Sequence, residues 1–477
     1  MIIWGINEAA HDAALCVIEK DKILFAGHAE RYSKKKNDWF INERLVADAI
    51  QYGKPDQIAY YEKRILKNSR VLLKGGRGSF ENTFEKFVPK AKVKEFRHHH
   101  SHAAAGYYTS KFDDAVVVVL DAIGEWETSS IWIGQGEKLK RIWSKSYPYS
   151  FGLFYSSFTH LIGLMPNQEE YIMMGMAAYG NPNKYFSKVN SYFSNIENQK
   201  YNFHKGITDW GDINGEQDRF DIAAAVQEVF RHRLLEFMNM AKKISGKNKL
   251  VYMGGVALNS SANTYLWDIF NDIWIMPNPG DAGSSLGSAA ALYGSHLDWQ
   301  GPYLGHDIGN EYDVNSVIST LIKDKVAPVA FGRAEFGPRA LGNRSILADP
   351  RDKDIKDKVN LIKKRELFRP FAPMVLEEDA DQWFEMPNKK MEYMQYTVKC
   401  KRPKEIPSVV HEDGTSRVQT VSKEDHKDVY NLLKKWKEYS GIGVLLNTSL
   451  NIKNQPLLDD SKDILDWQTF YNQKIIY

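Results

Sequence analysis

Short apolar runs separated by turn residues open this chain, and the pattern then recurs. Ile2–Ile6, Ala13–Ile18 and Ile23–Ala29 are each brief, apolar and bounded by turn residues, which predicts three strands near the N-terminus. Ala115–Leu120 is a continuous apolar run of the kind a buried strand carries, and Thr128–Gly134 and Leu139–Trp143 predict two partners for it. The same three-strand opening therefore occurs twice. Helical patterning follows the second opening, most clearly over Arg219–Ile244, and Lys249–Met253 predicts a further strand. A repeated strand-rich unit followed by helices predicts an α/β fold of two similar halves. Residues 296–326, with Gly301, Pro302, Gly305 and Gly309, read as a domain boundary, and Val326–Phe331 begins a new strand. The expected domains are 1–315 and 325–477. There is no low-complexity tract and no solenoid period.

Bulk properties narrow the class. The 477 residues are 43% hydrophobic and 26% charged, the balance of a water-soluble globular protein. A net charge of +3 suits an anionic substrate but is too small to indicate nucleic-acid binding by itself. Cys16 and Cys400 are the only cysteines, so a disulfide framework and a cysteine-rich zinc site are both excluded, and a reducing compartment is expected. The N-terminus lacks a basic region before a long apolar run, and no segment approaches the about 20 apolar residues of a membrane span, so the expected location is cytosolic.

Three groups of residues carry candidate chemistry. In Arg97-His-His-His-Ser-His-Ala-Ala104, His98 and His102 stand at i and i+4, so on a helix both imidazoles share a face and can ligate one metal. Asp121, at the end of the Ala115–Leu120 run, and Asp281, just before a predicted helix Ser284–Leu292, are candidate third and fourth ligands. Two histidines and two carboxylates suit divalent iron, zinc or manganese. On spacing alone Asp281 also reads as a helix cap and Asp121 as a turn residue, with His99 and His100 as rival ligands.

The second group is glycine-rich. Gly254-Gly255 follows a strand, and Gly280, Gly283 and Gly287 form a second approach; such turns let backbone N–H groups reach a nucleotide, although many only pack. In the first hairpin loop, His11-Asp12 reads either as a base with its orienting carboxylate or as an ordinary turn pair. The third group is basic. Arg333, Arg339 and Arg344 alternate with Gly and Pro, which suits anion recognition better than a solvated face; Lys353–Lys364 has helical spacing and suits the solvated face. Lys363-Lys364-Arg365, Arg369, Arg417 and Asn447 follow.

Taken in order, these blocks resemble the nodulation-protein-U/cephalosporin O-carbamoyltransferase family over nearly the whole chain. The resemblance rests on His11-Asp12, Ala29–Tyr32, His98–Ala104, Gly175–Gly180 and Gly254–Asn259 in the first domain. In the second it rests on Glu335–Arg351, Arg369–Pro373, Asp413–Thr420 and Asn447–Asn451. It implies an actin-like ATPase fold, a duplicated α/β domain, followed by a YrdC-like α/β domain. It implies that ATP (with Mg) and carbamoyl phosphate give carbamoyl-adenylate in the second domain, and that the carbamoyl group then passes to an acceptor hydroxyl in the first.

The family's metal positions fall on His98, His102, Asp121 and Asp281, with Fe(II) the usual ion. His11, oriented by Asp12, becomes the candidate base, and Gly254, Gly255 and Asn259 are expected to hold adenosine. Arg333, Arg339, Arg344, Lys364, Arg369, Arg417 and Asn447 are expected to recognise phosphate and carbamoyl groups. The expected partners are a hydroxyl-bearing small molecule, sugar, nucleotide or nucleic acid and a second copy of the chain, with no membrane. Two places depart from the family pattern: Ile172 stands where Lys is usual, and Lys453-Asn454-Gln455 where Arg-Gly-Glu is usual. The competing readings are a tRNA threonylcarbamoyl transferase and a non-catalytic nucleotide-binding regulator.

Overall fold

The two strand-rich openings fold into two sheets of one design. The structure, a computed structural model, describes residues 1–9, 11–73, 83–89, 91–194 and 201–477. In the first sheet, β1 (Ile2–Asn7), β2 (Ala14–Glu19), β3 (Lys22–His28), β4 (Gln57–Tyr60) and β5 (Lys92–Glu95) lie in the order β3-β2-β1-β4-β5. In the second, β6 (Asp114–Leu120), β7 (Glu127–Gln135), β8 (Lys138–Ser146), β9 (Lys249–Met253) and β10 (Asp272–Trp274) lie in the order β10-β9-β6-β7-β8. The directions repeat as well. β1–β2 and β2–β3 are antiparallel while β1–β4 and β4–β5 are parallel. β6–β7 and β7–β8 are antiparallel while β6–β9 and β9–β10 are parallel. The duplication expected from the two apolar openings is thus present strand for strand.

The central strands are apolar because both of their faces are covered; every residue of Ala115–Leu120 is buried. Two helices close the gap between the sheets, His98–Thr109 and Gly283–Tyr293. A Cβ on Gly287 would lie 1.8 Å from the Ser101 carbonyl oxygen, so the bare glycine is what lets the two helices approach. That approach sets the start of one helix, preceded by Asp281, against the histidines of the other. The Gly215–Ser245 helix ends at Gly246, whose φ of 68° closes it in the left-handed conformation.

The chain divides into two units, Met1–Ala29 with Asn37–Trp299, and Glu30–Lys36 with Gln300–Tyr477. The break at 300 lies inside the 296–326 stretch read as the boundary and gives residues 300–315 to the second unit. The reason is local pairing: Tyr303 Oη donates to Leu341 O at 3.0 Å, Gly305 N–H to Ala334 O at 2.9 Å and Ile308 N–H to Gly332 O at 3.2 Å, so this loop-like stretch is part of the second unit's framework. Glu30–Lys36 joins the same unit, with Arg31 Nη2 donating to Gly337 O at 2.6 Å and Lys34 paired with Asp463.

In the second unit, β11 (Val326–Ala330), β12 (Arg344–Ala348), β13 (Ala372–Leu376), β16 (Gln419–Val421) and β17 (Val444–Ser449) form a sheet in the order β11-β12-β17-β13-β16. A separate ribbon pairs β14 (Thr397–Lys399) with β15 (Thr415–Arg417). Val317 and Leu321 of one helix and Val429, Leu432, Leu433 and Trp436 of another pack on Val329, Leu347, Met374 and Leu445 to make the core. Among the described residues no helix is long and apolar enough to cross a membrane.

Candidate metal centre and arginine cluster

The His98–Thr109 helix presents two imidazoles to one point. His98 and His102 Nε2 lie 3.1 Å apart, as the i, i+4 spacing requires. Asp121, just past the end of β6, brings Oδ2 to 3.0 Å from His98 Nε2. Asp281, two residues before the Gly283–Tyr293 helix, brings Oδ1 to 3.2 Å from His102 Nε2 and 3.4 Å from His98 Nε2. The four donor atoms lie within 4.8 Å of one another, and the residues are at most 7% exposed.

The donor set fits a divalent cation. Two ring nitrogens at hydrogen-bond distance can share one proton between them, whereas one ion satisfies both lone pairs and both carboxylates at once. His102 Nδ1 lies 3.1 Å from Pro279 O; donation to that carbonyl leaves the Nε2 lone pair directed at the cluster. Without an ion, burial lowers the basicity of His98, but the Asp281 and Asp121 carboxylates outweigh it and hold the group well above its ordinary value. The rival ligands are engaged elsewhere: His99 Nδ1 meets Ser130 Oγ at 2.8 Å, and His100 stacks on Trp132.

His11 stands at the edge of this cluster with its side chain 46% exposed. Its Nδ1 lies 2.9 Å from Asp12 Oδ2, and its Nε2 lies 3.6 Å from Asp281 Oδ2. Desolvation opposes its charge, yet Asp281, Asp12 and Asp121 together raise it to about 10. The structure therefore brings His11, Asp12 and the four candidate ligands together.

The glycine turn is adjacent. Gly254 has φ +91°, and a Cβ there would sit 2.0 Å from Leu120 O, so glycine is demanded where β9 ends beside β6. Gly255 N–H donates to Asp121 Oδ1 at 3.3 Å, which orients that carboxylate. Asn259 caps the Ser260–Asn263 helix through Ala262 N–H and exchanges amide hydrogen bonds with Gln227. Ile172, where the family pattern has a cation, is buried in the Glu170–Met176 helix.

In the second unit the basic residues separate into two kinds. Arg344 is fully buried and donates to five backbone carbonyls, those of Phe331, Asn343, His306, Gly332 and Asp459. Arg333 donates to Gly305 O and Leu304 O. These donors hold the turns around them, while Arg344 Nε is buried without a hydrogen-bond partner. Lys364 places its Nζ 4.1 Å from the centre of the Phe470 ring.

Arg339, Arg365, Arg369 and Arg417 do gather. Burial and then the other three guanidiniums hold Arg417 well below its ordinary value, and its buried Nε has no hydrogen-bond partner. Lys363, its neighbour, is buried against Ser449 and Asn451, 2.8 Å from Asn451 Oδ1. Burial, then Arg365, Arg369 and Lys36, lower it strongly. A signal for it was present: Ile355, Val359 and Lys363 follow at i, i+4, i+8, so Lys363 shares the helix's buried face. Asn447 Nδ2 donates to Ala340 O and Gln419 Oε1, leaving its buried Oδ1 without a partner.

Known proteins match in the same two parts. The carbamoyltransferase N-terminus family matches residues 57–290, and the carbamoyltransferase C-terminus family matches residues 318–476. An uncharacterized protein of Synechocystis sp. is 32% identical, with 97% of this chain and 93% of that protein covered. Nodulation protein NolNO of Sinorhizobium fredii is 30% identical, covering 96% and 76%. Nodulation protein NolO of Bradyrhizobium diazoefficiens is 31% identical, covering 77% and 75%. Among solved structures, component A of (R)-2-hydroxyglutaryl-CoA dehydratase from Acidaminococcus fermentans aligns with 61% of this chain and 98% of its own at 13% identity and a TM-score of 0.37, a likeness too slight to carry an argument. With both family regions matched in order and full-length relatives at this identity, the chain belongs to the carbamoyltransferase family and is an enzyme of that class.

Proposed function

We propose that this protein is an ATP-dependent O-carbamoyltransferase that uses carbamoyl phosphate, by way of carbamoyl-adenylate, to carbamoylate a hydroxyl. The observation that carries the reading is the convergence of His98, His102, Asp121 and Asp281 on one point beside the exposed His11. A divalent ion there, Fe(II) by family resemblance, would supply Lewis-acid stabilisation of the adenylate phosphate and the carbamoyl oxygen.

The chain's own residues supply the rest. With a divalent ion taking up the charge of Asp281 and Asp121 that otherwise keeps His11 protonated, His11 Nε2 would accept the acceptor's hydroxyl proton while Asp12 holds Nδ1, and the hydroxyl oxygen attacks the carbamoyl carbon with AMP as leaving group. The Gly254-Gly255 turn offers backbone close to the adenylate, and Gly255 N–H keeps Asp121 oriented. In the second unit, proposed to be YrdC-like, Arg339, Arg365, Arg369 and Arg417 bind the anionic carbamoyl phosphate and ATP (with Mg), and Asn447 Oδ1 is offered to the carbamoyl amide.

The acceptor class proposed is a sugar, small molecule or hydroxymethylated nucleotide or DNA. The test is pyrophosphate release from ATP by protein supplied with ferrous iron and magnesium. Release that depends on carbamoyl phosphate is expected; release without it, or none in either case, would sink the adenylate route.

A further inference from the structure

The metal-binding helix begins on one of its own ligands. His98 is the first residue of that helix, and the N-cap, Arg97, makes no side-chain capping bond. First-turn N–H groups of a helix have no intrahelical acceptor, so a helix end without a cap frays first. Here fraying would carry a ligand away. The missing acceptor arrives from 27 residues further along: Glu125 Oε1 accepts the His98 backbone N–H at 3.1 Å. The same oxygen accepts Lys63 N–H at 2.9 Å, and the glutamate is only 3% exposed. A carboxylate at a helix N-terminus is also favoured by the helix dipole.

Glu125 sits in the β6–β7 turn that carries Asp121. That turn is closed by Asp121 N–H to Thr128 O and Gly124 N–H to Glu127 O. Its residue 124 lies directly against the other ligand: a Cβ on Gly124 would meet His98 Cδ2 and Cγ at 2.9 Å. Cδ2 adjoins the ligating Nε2.

We infer that Gly124-Glu125 is a positioning element for the metal centre. Glu125 bolts the first turn of the His98–Thr109 helix to the turn bearing Asp121, and Gly124 leaves the space in which the His98 ring takes its ligating orientation. The inference rests on the metal reading of the four-residue cluster, and the experiment separates the two. Cobalt(II) alone is the probe, titrated into the full-length protein and followed by visible absorption, with thermal unfolding measured with and without the ion. The wild type is expected to take up one Co(II), and His98→Ala to lose it; no uptake by the wild type overturns both readings.

Glu125→Ala is expected to weaken Co(II) binding by about tenfold or more and to shrink the metal-induced rise in Tm. Glu125→Gln, whose amide oxygen still accepts both N–H bonds, is expected to stay close to the wild type. A glutamate that merely supported the fold would lower Tm equally with and without Co(II) and leave the affinity intact, and that result overturns the proposal. If Glu125→Ala does not fold, Gly124→Ala decides: weakened binding with an altered Co(II) spectrum supports the proposal, and wild-type affinity and spectrum overturn it.

Discussion

At the scale of single residues, burial and charge sort the basic side chains by task. Arg344 satisfies five carbonyls from inside the second unit. Arg344→Met is therefore expected to destabilise that unit by on the order of 3 kcal/mol, measured by denaturant unfolding, because buried acceptors lose their donor. Arg417 is the opposite case: three guanidiniums repel it, so Arg417→Met should leave stability unchanged or raise it while weakening carbamoyl phosphate binding, read by calorimetric titration. The same contrast separates neighbours. Lys363 sides with Arg344, since Ser449 and Asn451 take its donors: Lys363→Met should lower stability to denaturant, whereas Lys364→Met, which removes a contact with Phe470, should stay near wild type.

The sequence exposed these positions unevenly. The i, i+4 register of His98 and His102 was legible because one helix carries both, but Asp121 and Asp281 are 160 residues apart, so a strand end and a helix start offered them only as candidates beside rival readings, and the family resemblance chose between these. The Gly- and Pro-rich turns around Arg333 and Arg344 suggest ligand loops, yet such turns also leave carbonyls that need donors, and both side chains donate to them.

At the scale of elements, the long apolar runs were legible and the short strands were not. Ala115–Leu120 announces itself, whereas β4, β5 and β10 have four, four and three residues. β5, Lys92–Glu95, carries no fully buried residue and is held as a strand by backbone pairing to β4, which no side-chain pattern reports.

Helix contacts carry a pH dependence. Lys184, on the Pro182–Tyr192 helix, pairs with Asp218 and Asp221 in the Gly215–Ser245 helix at 2.5 and 3.0 Å. The Lys184 hydrogen bond lowers Asp218 from an ordinary 3.8 to about 2. A depressed carboxylate stabilises the fold above its unfolded value and loses that contribution as pH falls through the folded one. Wild type and Lys184→Met should therefore differ in Tm at pH 5 and converge between pH 3.8 and about 2. Separate curves that run parallel down to pH 2 would contradict the assignment.

At the scale of the molecule, the candidate metal centre draws its four donor residues from three places: a helix that follows β5, the end of β6, and the loop before the Gly283–Tyr293 helix. An ion that binds only when these are assembled must stabilise the first unit. At a free concentration of a hundred times its dissociation constant it adds about 2.7 kcal/mol, so Co(II) or Fe(II) should raise Tm and a chelator should reverse the shift. Asp281→Asn should abolish the effect, while substitutions of His99 or His100, engaged by Ser130 and Trp132, should preserve it.

The short stretch Glu30–Lys36 changes how this chain can be cut, swapped or rearranged. It lies in the first tenth of the sequence, yet it belongs to the unit that otherwise begins at Gln300. A gene fragment starting at codon 300 would encode that unit without Arg31, the donor to Gly337, and without Lys34, the partner of Asp463. No single crossover can therefore exchange the C-terminal half between two such proteins and leave it whole. Recombination that respects the fold has to carry seven residues from well before residue 300, so the two units are expected to diversify together, and chimaeras joined at residue 300 should recover stability when residues 30–36 come from the same parent as the C-terminal unit.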